Sequence, residues 1–277
     1  MEGRCSVDGT ILNLIFQNEE NGYTVLRLVT GDGEVVTVVG TIPCAAPGEN
    51  LIVTGRWMTH PTHGQQIQAQ QVERHMPTTE GDILSYLSSG VVKGVGPATA
   101  EKLVDRFGTN TLRILEEEPE LLRKVKGITE RKAREIADSY RYQTGMRRLL
   151  DFLAVNDLPL SLALRLYRRY GMDALEAVRA NPYLLVDEAY GVDFSVMDEI
   201  ALAMGVSGDS RRRVEAAVLF ELSHNLGNGH VFLPRDKLLS AAGQLIDCPT
   251  DTVEAALDGL MDRGAVRQER VGKVEAC

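Results

Sequence analysis

Apolar and polar residues alternate along the first 75 positions, and after Met76-Pro77 the period changes. Val7 and residues 10–16, 23–29, 35–39, 51–55 and 66–70 are short runs rich in β-branched side chains. That texture predicts strands, because branched side chains pack well on a pleated surface. Asn21-Gly22, Gly31-Asp32-Gly33 and Pro47-Gly48 separate the runs as turns. Five or six strands in this length suit a small closed barrel, and the OB type fits best. Tyr23 and Trp57 lie at strand spacing, where the core takes such rings more often than a base-stacking surface does.

Beyond Pro77 the pattern is helical. Helices are predicted at 82–89, 97–107, 111–117, 119–125 and 130–142, and onward to about 205, mostly as pairs joined by tight turns. Pro97 opens one helix and Gly108 follows its end, the usual asymmetry of helix termini. The rhythm of 25–35 residues suggests repeated units rather than one bundle. Residues 211–225, 235–245 and 252–263 read as three more helices, with a short extended stretch at 230–233 and a strand leading to a turn at 264–271. That order suggests a winged helix.

The stretch with chemistry in it is Val91-Val92-Lys93-Gly94-Val95-Gly96-Pro97, between two helices. Glycine, hydrophobe, glycine at such a junction is the turn of a helix-hairpin-helix. Gly94 and Gly96 permit backbone angles closed to other residues and let a ligand approach the main chain. Val95 points inward and pins the hairpin. The next helix begins at Pro97, so its unpaired N–H groups and positive dipole end face the turn and suit one phosphate. A plain turn is the competing reading, but the flanking helices and a second copy weigh against it. That copy is Val125-Lys126-Gly127-Ile128-Thr129, with Thr129 in place of the second glycine. A third candidate, Asn156-Asp157-Leu158-Pro159, lacks glycine, and a fourth, Tyr190-Gly191-Val192-Asp193, ends on an acid.

The expected fold is therefore multidomain α+β. An OB-like β-barrel occupies 1–77, a tandem helix-hairpin-helix region 78–145, a second such helical region 146–208, and a winged-helix-like unit 209–277. The expected DNA contacts are Lys93, Gly94, Val95, Gly96 and Thr99, then Lys126, Gly127, Ile128, Thr129 and Arg131, with Arg168 and Arg169 from a later helix.

Charge localises this picture. The net charge of −9 opposes nucleic-acid binding overall. Four basic against nine acidic residues fall in 1–80, ten against ten in 81–140, six against two in 141–170, and ten against eighteen in 171–277. A polyanion would be held in the middle. Arg147, Arg148, Arg165, Arg168 and Arg169 are either a solvated face or backbone contacts, and Arg211-Arg212-Arg213 is similar. Cys5, Cys44, Cys248 and Cys277 have no paired spacing, which argues against a zinc ribbon or a disulfide framework. His60 and His63, like His224 and His230, read as surface turns rather than metal pairs. No catalytic or metal-ligating set is expected. No run is long enough for a membrane span and the first residues form no signal core, so a cytoplasmic monomer is expected.

Further residues carry a resemblance. Asn21-Gly-Tyr-Thr-Val25, Gly48-Glu-Asn-Leu51, Gly55-Arg-Trp57 and His60-Pro-Thr-His-Gly64 come first. Tyr86-Leu-Ser-Ser-Gly90, Lys93-Gly-Val-Gly-Pro97 and Phe107-Gly108 follow, then Asn181-Pro-Tyr-Leu184, Tyr190-Gly-Val192 and Gly229-His-Val-Phe-Leu-Pro234. This series resembles the N-terminal region of the stand-alone RecD-like DNA helicases of superfamily one. The resemblance implies a DNA-dependent ATPase that unwinds 5′ to 3′, with ATP and magnesium bound by the full-length protein and a Walker A loop after the present C-terminus. This chain has no Gly-x-x-x-x-Gly-Lys-Ser/Thr; its only Gly-Lys, Gly272-Lys273, is followed by Val274. It reads as cut before the motor, a DNA-binding and regulatory part whose partner is single-stranded or forked DNA. Two alternatives stay open. One is a repair enzyme that borrows these hairpins. The other is a protein-interaction platform for a partner such as a single-strand-binding protein.

The missing phosphate loop gives a first prediction. The purified chain releases no phosphate from ATP, with or without DNA, in a coupled phosphate-release assay.

Overall fold

The computed structural model describes residues 4–18, 20–187, 189–227, 232–271 and 274–277. It falls into two compact units, 1–175 and 176–277.

The first unit opens with five strands: β1 (Arg4–Gln17), β2 (Tyr23–Thr30), β3 (Val35–Thr41), β4 (Asn50–His60) and β5 (Gly64–His75). They close into a barrel in the order β1-β2-β3-β5-β4. Val7 and residues 10–16 are not separate strands. They form one strand of 14 residues that pairs with β4 through Arg4 to Thr10 and with β2 from Gly9 to Gln17. Serving two neighbours brings backbones together at Gly9, where a Cβ would lie 2.6 Å from the Val29 carbonyl oxygen. A short parallel contact, Val38 to Ile67 and Val39 to Gln68, completes the ring. Ile11, Leu26, Leu28, Val38, Leu51 and Ile67 fill it. Register shifts between Ile11 and Asn13 and between Leu14 and Phe16 break the alternation of β1, and Leu12, Ile15 and Phe16 are all exposed. Trp57 packs half-buried against the barrel core, whereas Tyr23 is exposed.

Six helices of the chain come next: α1 (Glu80–Ser88), α2 (Pro97–Phe107), α3 (Thr111–Glu117), α4 (Glu130–Val155), α5 (Leu162–Tyr170) and α6 (Ala174–Ala180). Pro119–Lys124 is a 3-10 helix rather than an α-helix. The helix expected to pause at Tyr142 runs on to Val155, because Met146, Leu149 and Leu153 keep a buried stripe along it. The domain limit expected at 145/146 therefore falls inside α4. Ile83, Leu87, Leu103, Leu115, Ile136 and Tyr140 anchor the core shared by α1 to α4.

A buried ion network fastens barrel to helices. Glu49, after the Pro47-Gly48 turn, is 1% exposed. Arg147 of α4 donates to it at 2.6 Å, and Arg74 of β5 stands at 3.2 Å. Arg74 in turn donates to Asp151 of α4 at 2.8 Å. Burial works against the charge of Arg147, but Glu49, Tyr86 and Asp151 outweigh it and hold the guanidinium above its ordinary value. At Asp151 burial wins and the carboxyl is pushed up. The turn itself is close-fitted, since a Cβ on Gly48 would meet the Asp82 carbonyl oxygen at 2.2 Å.

The second unit holds α7 (Phe194–Ala203), α8 (Arg211–Gly227), α9 (Arg235–Ile246), α10 (Thr250–Asp262) and the hairpin β6 (Glu269–Val271) and β7 (Val274–Ala276). Phe194 and Ala201 share one core with Val214, Leu238 and Leu257, so the limit expected at 208/209 does not separate two cores. Of the stretch expected to be extended at 230–233, residues 230 and 231 lie outside the described residues; Leu233 exchanges two backbone hydrogen bonds with Cys277, at 2.9 and 2.8 Å. Arg213, 8% exposed, grips Asp198 through Nε and Nη2 at 2.7 Å each, and Tyr183 donates to the same carboxylate.

Removing one partner from a buried ion network strands the others. Glu49→Leu is expected to cost about 3–5 kcal/mol, and Arg147→Met added to it to recover part of that loss, in urea unfolding. At Asp198 burial raises the pKa, but the bonds from Arg213 and Tyr183 outweigh it and hold the carboxyl below its ordinary 3.8. A depressed acid stabilises the fold above the unfolded value and loses that contribution as pH falls through the folded one. Asp198→Asn is therefore expected to flatten the decline in stability below about pH 4, read by thermal melts across an acid series.

Candidate nucleic-acid interface

The turn between α1 and α2 is built from its buried residues outward. Val92 and Val95 are 1% and 3% exposed and face the core shared by α1 to α4. The Val95 N–H donates to the Val92 carbonyl at 3.1 Å, and Gly94 closes the turn at φ +88°. Gly96 behaves otherwise than expected. It is the N-cap of α2 at φ −102°, ψ 177°, a conformation open to any residue, and a Cβ there meets nothing within 4 Å.

The second turn repeats the first 33 positions later. The Ile128 N–H donates to the Val125 carbonyl at 3.1 Å, and Gly127 takes φ +92°. Thr129 stands where Gly96 stood, as the N-cap of α4, and its hydroxyl accepts the Lys132 N–H at 3.2 Å. Threonine there is a working cap rather than a loss of the motif. Among the described residues, the N–H groups of Gly94, Gly96, Gly127 and Thr129 donate to no protein acceptor. Lys93 and Lys126, one before each positive-φ glycine, are exposed.

The structure brings these two turns onto one support. The Lys93 N–H donates to Ser139 Oγ of α4 at 2.8 Å, and a Cβ on Gly94 would touch Ile136 of α4 at 3.6 Å. Sequence reasoning missed Ser139, which lies 46 residues from its partner with no local signal. Thr99 is half-buried in the first turn of α2. Arg131 is exposed and pairs with Glu135 at 3.0 Å, a surface pair weak enough for a phosphate to displace. Arg168 and Arg169 are not gathered here. Their helix α5 meets α4 where Tyr167 contacts Tyr142, 12 residues beyond Glu130 and so roughly 18 Å along the helix.

The third and fourth turns keep the shape but carry acids. Asp157 takes the glycine place at φ +54°, with Leu158 buried behind it. The barrel covers this turn, since a Cβ on Gly22 would lie 2.8 Å from Leu160 Cδ1. At the fourth, Gly191 takes φ +70° and Asp193 caps α7, accepting the Ser195 N–H at 2.8 Å. Hydrogen bonds from the Ser195 side chain and backbone hold the Asp193 carboxyl below its ordinary range, so it is charged at neutral pH.

These four turns are two copies of one pair, 63 positions apart at the first turn (Gly94 and Asp157) and 64 at the second (Gly127 and Gly191). Gly108 and Gly171 end α2 and α5 at φ 57°, ψ −137° and φ 59°, ψ −133°. Val95, Ala100 and Leu103 answer to Leu158, Ala163 and Leu166, all buried, and Pro119 answers to Pro182.

His60 and His63 stack at 4.7 Å, and His60 Nδ1 accepts the backbone N–H groups of Thr62 and His63, so they organise a turn. His230 lies outside the described residues. Among the described residues no group of three His, Cys, Asp or Glu could hold a metal ion. Gly272-Lys273 also lies outside them, and Val274 follows where a magnesium-holding Ser or Thr would be needed. No helix of the described residues is long and apolar enough to cross a membrane.

Comparisons agree with the geometry. The model for the OB-fold domain of the ATP-dependent DNA helicase YrrC matches residues 4–77. A SAM-like helix-hairpin-helix tandem matches 85–141, and the helix-hairpin-helix domain of the ATP-dependent RecD2 DNA helicase matches 142–232. The ATP-dependent RecD2 DNA helicase of Deinococcus radiodurans is 29% identical over 239 residues, covering 83% of this chain and 33% of the relative. The chain thus spans about a third of that relative's length. The crystal structure of the S. pombe Stn1-ten1 complex is 21% identical over 25% of this chain and 56% of that one, at a TM-score of 0.22, too slight to bear on the fold. The two domain models and the relative show the likeness to the N-terminal region of a RecD-like helicase that the motifs carried.

Proposed function

We propose that this chain holds DNA by its sugar-phosphate backbone, without reading sequence, through the two turns at Gly94 and Gly127. The observation that supports this most is the pair of turns itself. Each presents unused backbone N–H groups and a lysine at a helix N-terminus, and Ser139 and Ile136 seat one against the helix that the other begins. In a full-length protein like the RecD-like relative, this region would feed single-stranded or forked DNA to a motor that uses ATP and magnesium and travels 5′ to 3′. Such a motor would draw its nucleotide site from residues other than these.

A second reading concerns the barrel. Residues 1–77 contain no lysine and twice as many acids as arginines, eight to four. Leu12, Ile15, Phe16 and Tyr23 are exposed on β1 and β2. An acidic surface with an apolar face suits a protein better than a polyanion, and a single-strand-binding protein is one partner to try.

The test sets one turn against another. Gly96→Asp puts a carboxylate beside the expected phosphate, in a place with room for it and where Asp is a good cap. DNA affinity is expected to fall on the order of tenfold with the circular dichroism spectrum unchanged. Asp193→Gly is expected to leave affinity level or slightly higher and to cost up to about 1 kcal/mol of stability. Anisotropy of a labelled single strand should show log affinity falling with log salt at a slope of about −2 to −4, for three to five phosphates. Parental binding by Gly96→Asp together with loss in Asp193→Gly would reverse the assignment.

A further inference from the structure

The two copies of the hairpin pair have diverged in opposite directions, and the divergence marks a second surface. In the first copy the turns are free of acid and the outer face of α2 is mixed: Glu101, Lys102, Asp105 and Arg106 are exposed. At the same positions in the second copy, 63 residues on, α5 exposes Leu164, Arg165, Arg168 and Arg169. Two acids have given way to a leucine and an arginine, and α5 carries no acid at all. Meanwhile the turn before α5 has gained Asp157 and lies under the barrel.

Aromatic rings adjoin the arginines. Val104 of α2 is buried; its counterpart Tyr167 is half-buried and meets Tyr142 of α4 edge to face at 4.8 Å. Tyr142 is 39% exposed, Leu164 55% and Met172 49%. The Arg169 guanidinium lies 5.5 Å from the Tyr170 ring. Residues 141–170 hold six arginines against two aspartates, the most basic stretch of an acidic chain. The acids adjoining it in sequence are Asp138, one turn before Tyr142, and Asp173, beside Met172. Open rings set among guanidinium groups are what single-stranded nucleic acid needs, since an unpaired base offers a π-face and its phosphate a charge. A duplex hides its base faces and gains only from the charges.

We infer that the outer face of α5, with Tyr142 and Tyr167 beside it, is a contact surface for single-stranded nucleic acid, in which Arg165, Arg168 and Arg169 take phosphates and the tyrosine pair takes a base by stacking. This rests on the reading of the chain as DNA-binding, but on different residues from the turns at Gly94 and Gly127. The turns would grip backbone of either form, and the α5 surface would favour the unpaired strand.

The experiment compares a labelled oligothymidylate with a blunt duplex of equal length, binding to the full chain by anisotropy. Tyr142→Ala is expected to weaken oligothymidylate binding on the order of tenfold and to leave the duplex within about twofold. Arg165→Ala/Arg168→Ala/Arg169→Ala is expected to weaken oligothymidylate on the order of tenfold and the duplex by less. The triple variant should also lower the salt slope by about 2, close to 0.7 per phosphate lost. Tyr142→Phe keeps the ring and should bind as the parent does. If the triple variant fails to fold by circular dichroism, Arg168→Glu, a single change at an exposed side chain, takes its place. Lys93→Ala/Lys126→Ala, which touches only the turns, is expected to weaken both ligands. Parental oligothymidylate binding by the arginine and Tyr142 variants would overturn the α5 surface while leaving the turns standing. In the triple arginine variant, a fall in affinity with an unchanged salt slope would overturn it too, as a merely structural effect. Parental binding of both ligands by the lysine pair would instead overturn the reading of the turns.

Discussion

A carboxylate cannot stay charged inside a protein unless cations come to it, and Glu49 draws two. Arg74 arrives from the last barrel strand and Arg147 from the last third of α4, 98 residues away in sequence. Asp151 then holds Arg74 from the other side. Each group answers the desolvation of the next, so the network is favourable only when all are seated. A greasy contact at the same place would tolerate sliding and rotation. An ion network with a buried carboxylate at its centre does not, and it fixes where the barrel stands on α4. The β1–β2 loop then falls over the third turn, and the first two turns are left open.

The strands, the helix ends and the two glycine turns were legible because each is written locally. Branched side chains, Asn-Gly and Pro-Gly pairs, and Pro97 with Gly108 act on their immediate neighbours. What escaped depends on distant partners. The bulges of β1 shift its register against β2 and leave Phe16 exposed, which a strand read from its own residues does not reveal. Nothing near Thr144 and Gly145 announces that α4 continues; its reason is the core beneath Leu149 and Leu153. Gly96 was given a conformational role that belongs to Gly94 and Gly127, because a motif string does not say which glycine has the positive φ. Tyr23 was assigned to the core on strand spacing alone, and its face of the barrel turns out to be open.

The duplication was also in the sequence. Phe107-Gly108 and Tyr170-Gly171 share an offset with Pro119 and Pro182, but only the matching backbone angles make the offset meaningful. Val95, Ala100 and Leu103 keep their buried apolar character in Leu158, Ala163 and Leu166, while the exposed acids Glu101 and Asp105 give way to Leu164 and Arg168. That pattern separates what holds the shape from what the shape presents. It is also why Asp157 and Asp193 are tolerated where the first copy has Gly94 and Thr129: the turn survives the acid, although a phosphate beside it would not.

Helix α4 is 26 residues long and does three jobs along its length: its first turn forms one hairpin, its middle seats the other and carries Tyr142, and its last third answers Glu49. A helix couples distance to rotation, advancing about 1.5 Å and turning about 100° with each residue. One residue inserted between Ser139 and Tyr142 would therefore swing the tyrosine and Arg147 by a quarter of a circle relative to the hairpins, although it would lengthen the helix hardly at all. Seven residues, close to two whole turns, would restore the phase and displace the far end by about 10 Å. The length of α4 is thus constrained as an angle more tightly than as a distance. Gains and losses of chain in this region should be found in the loops at either end of the helix, where they carry no twist.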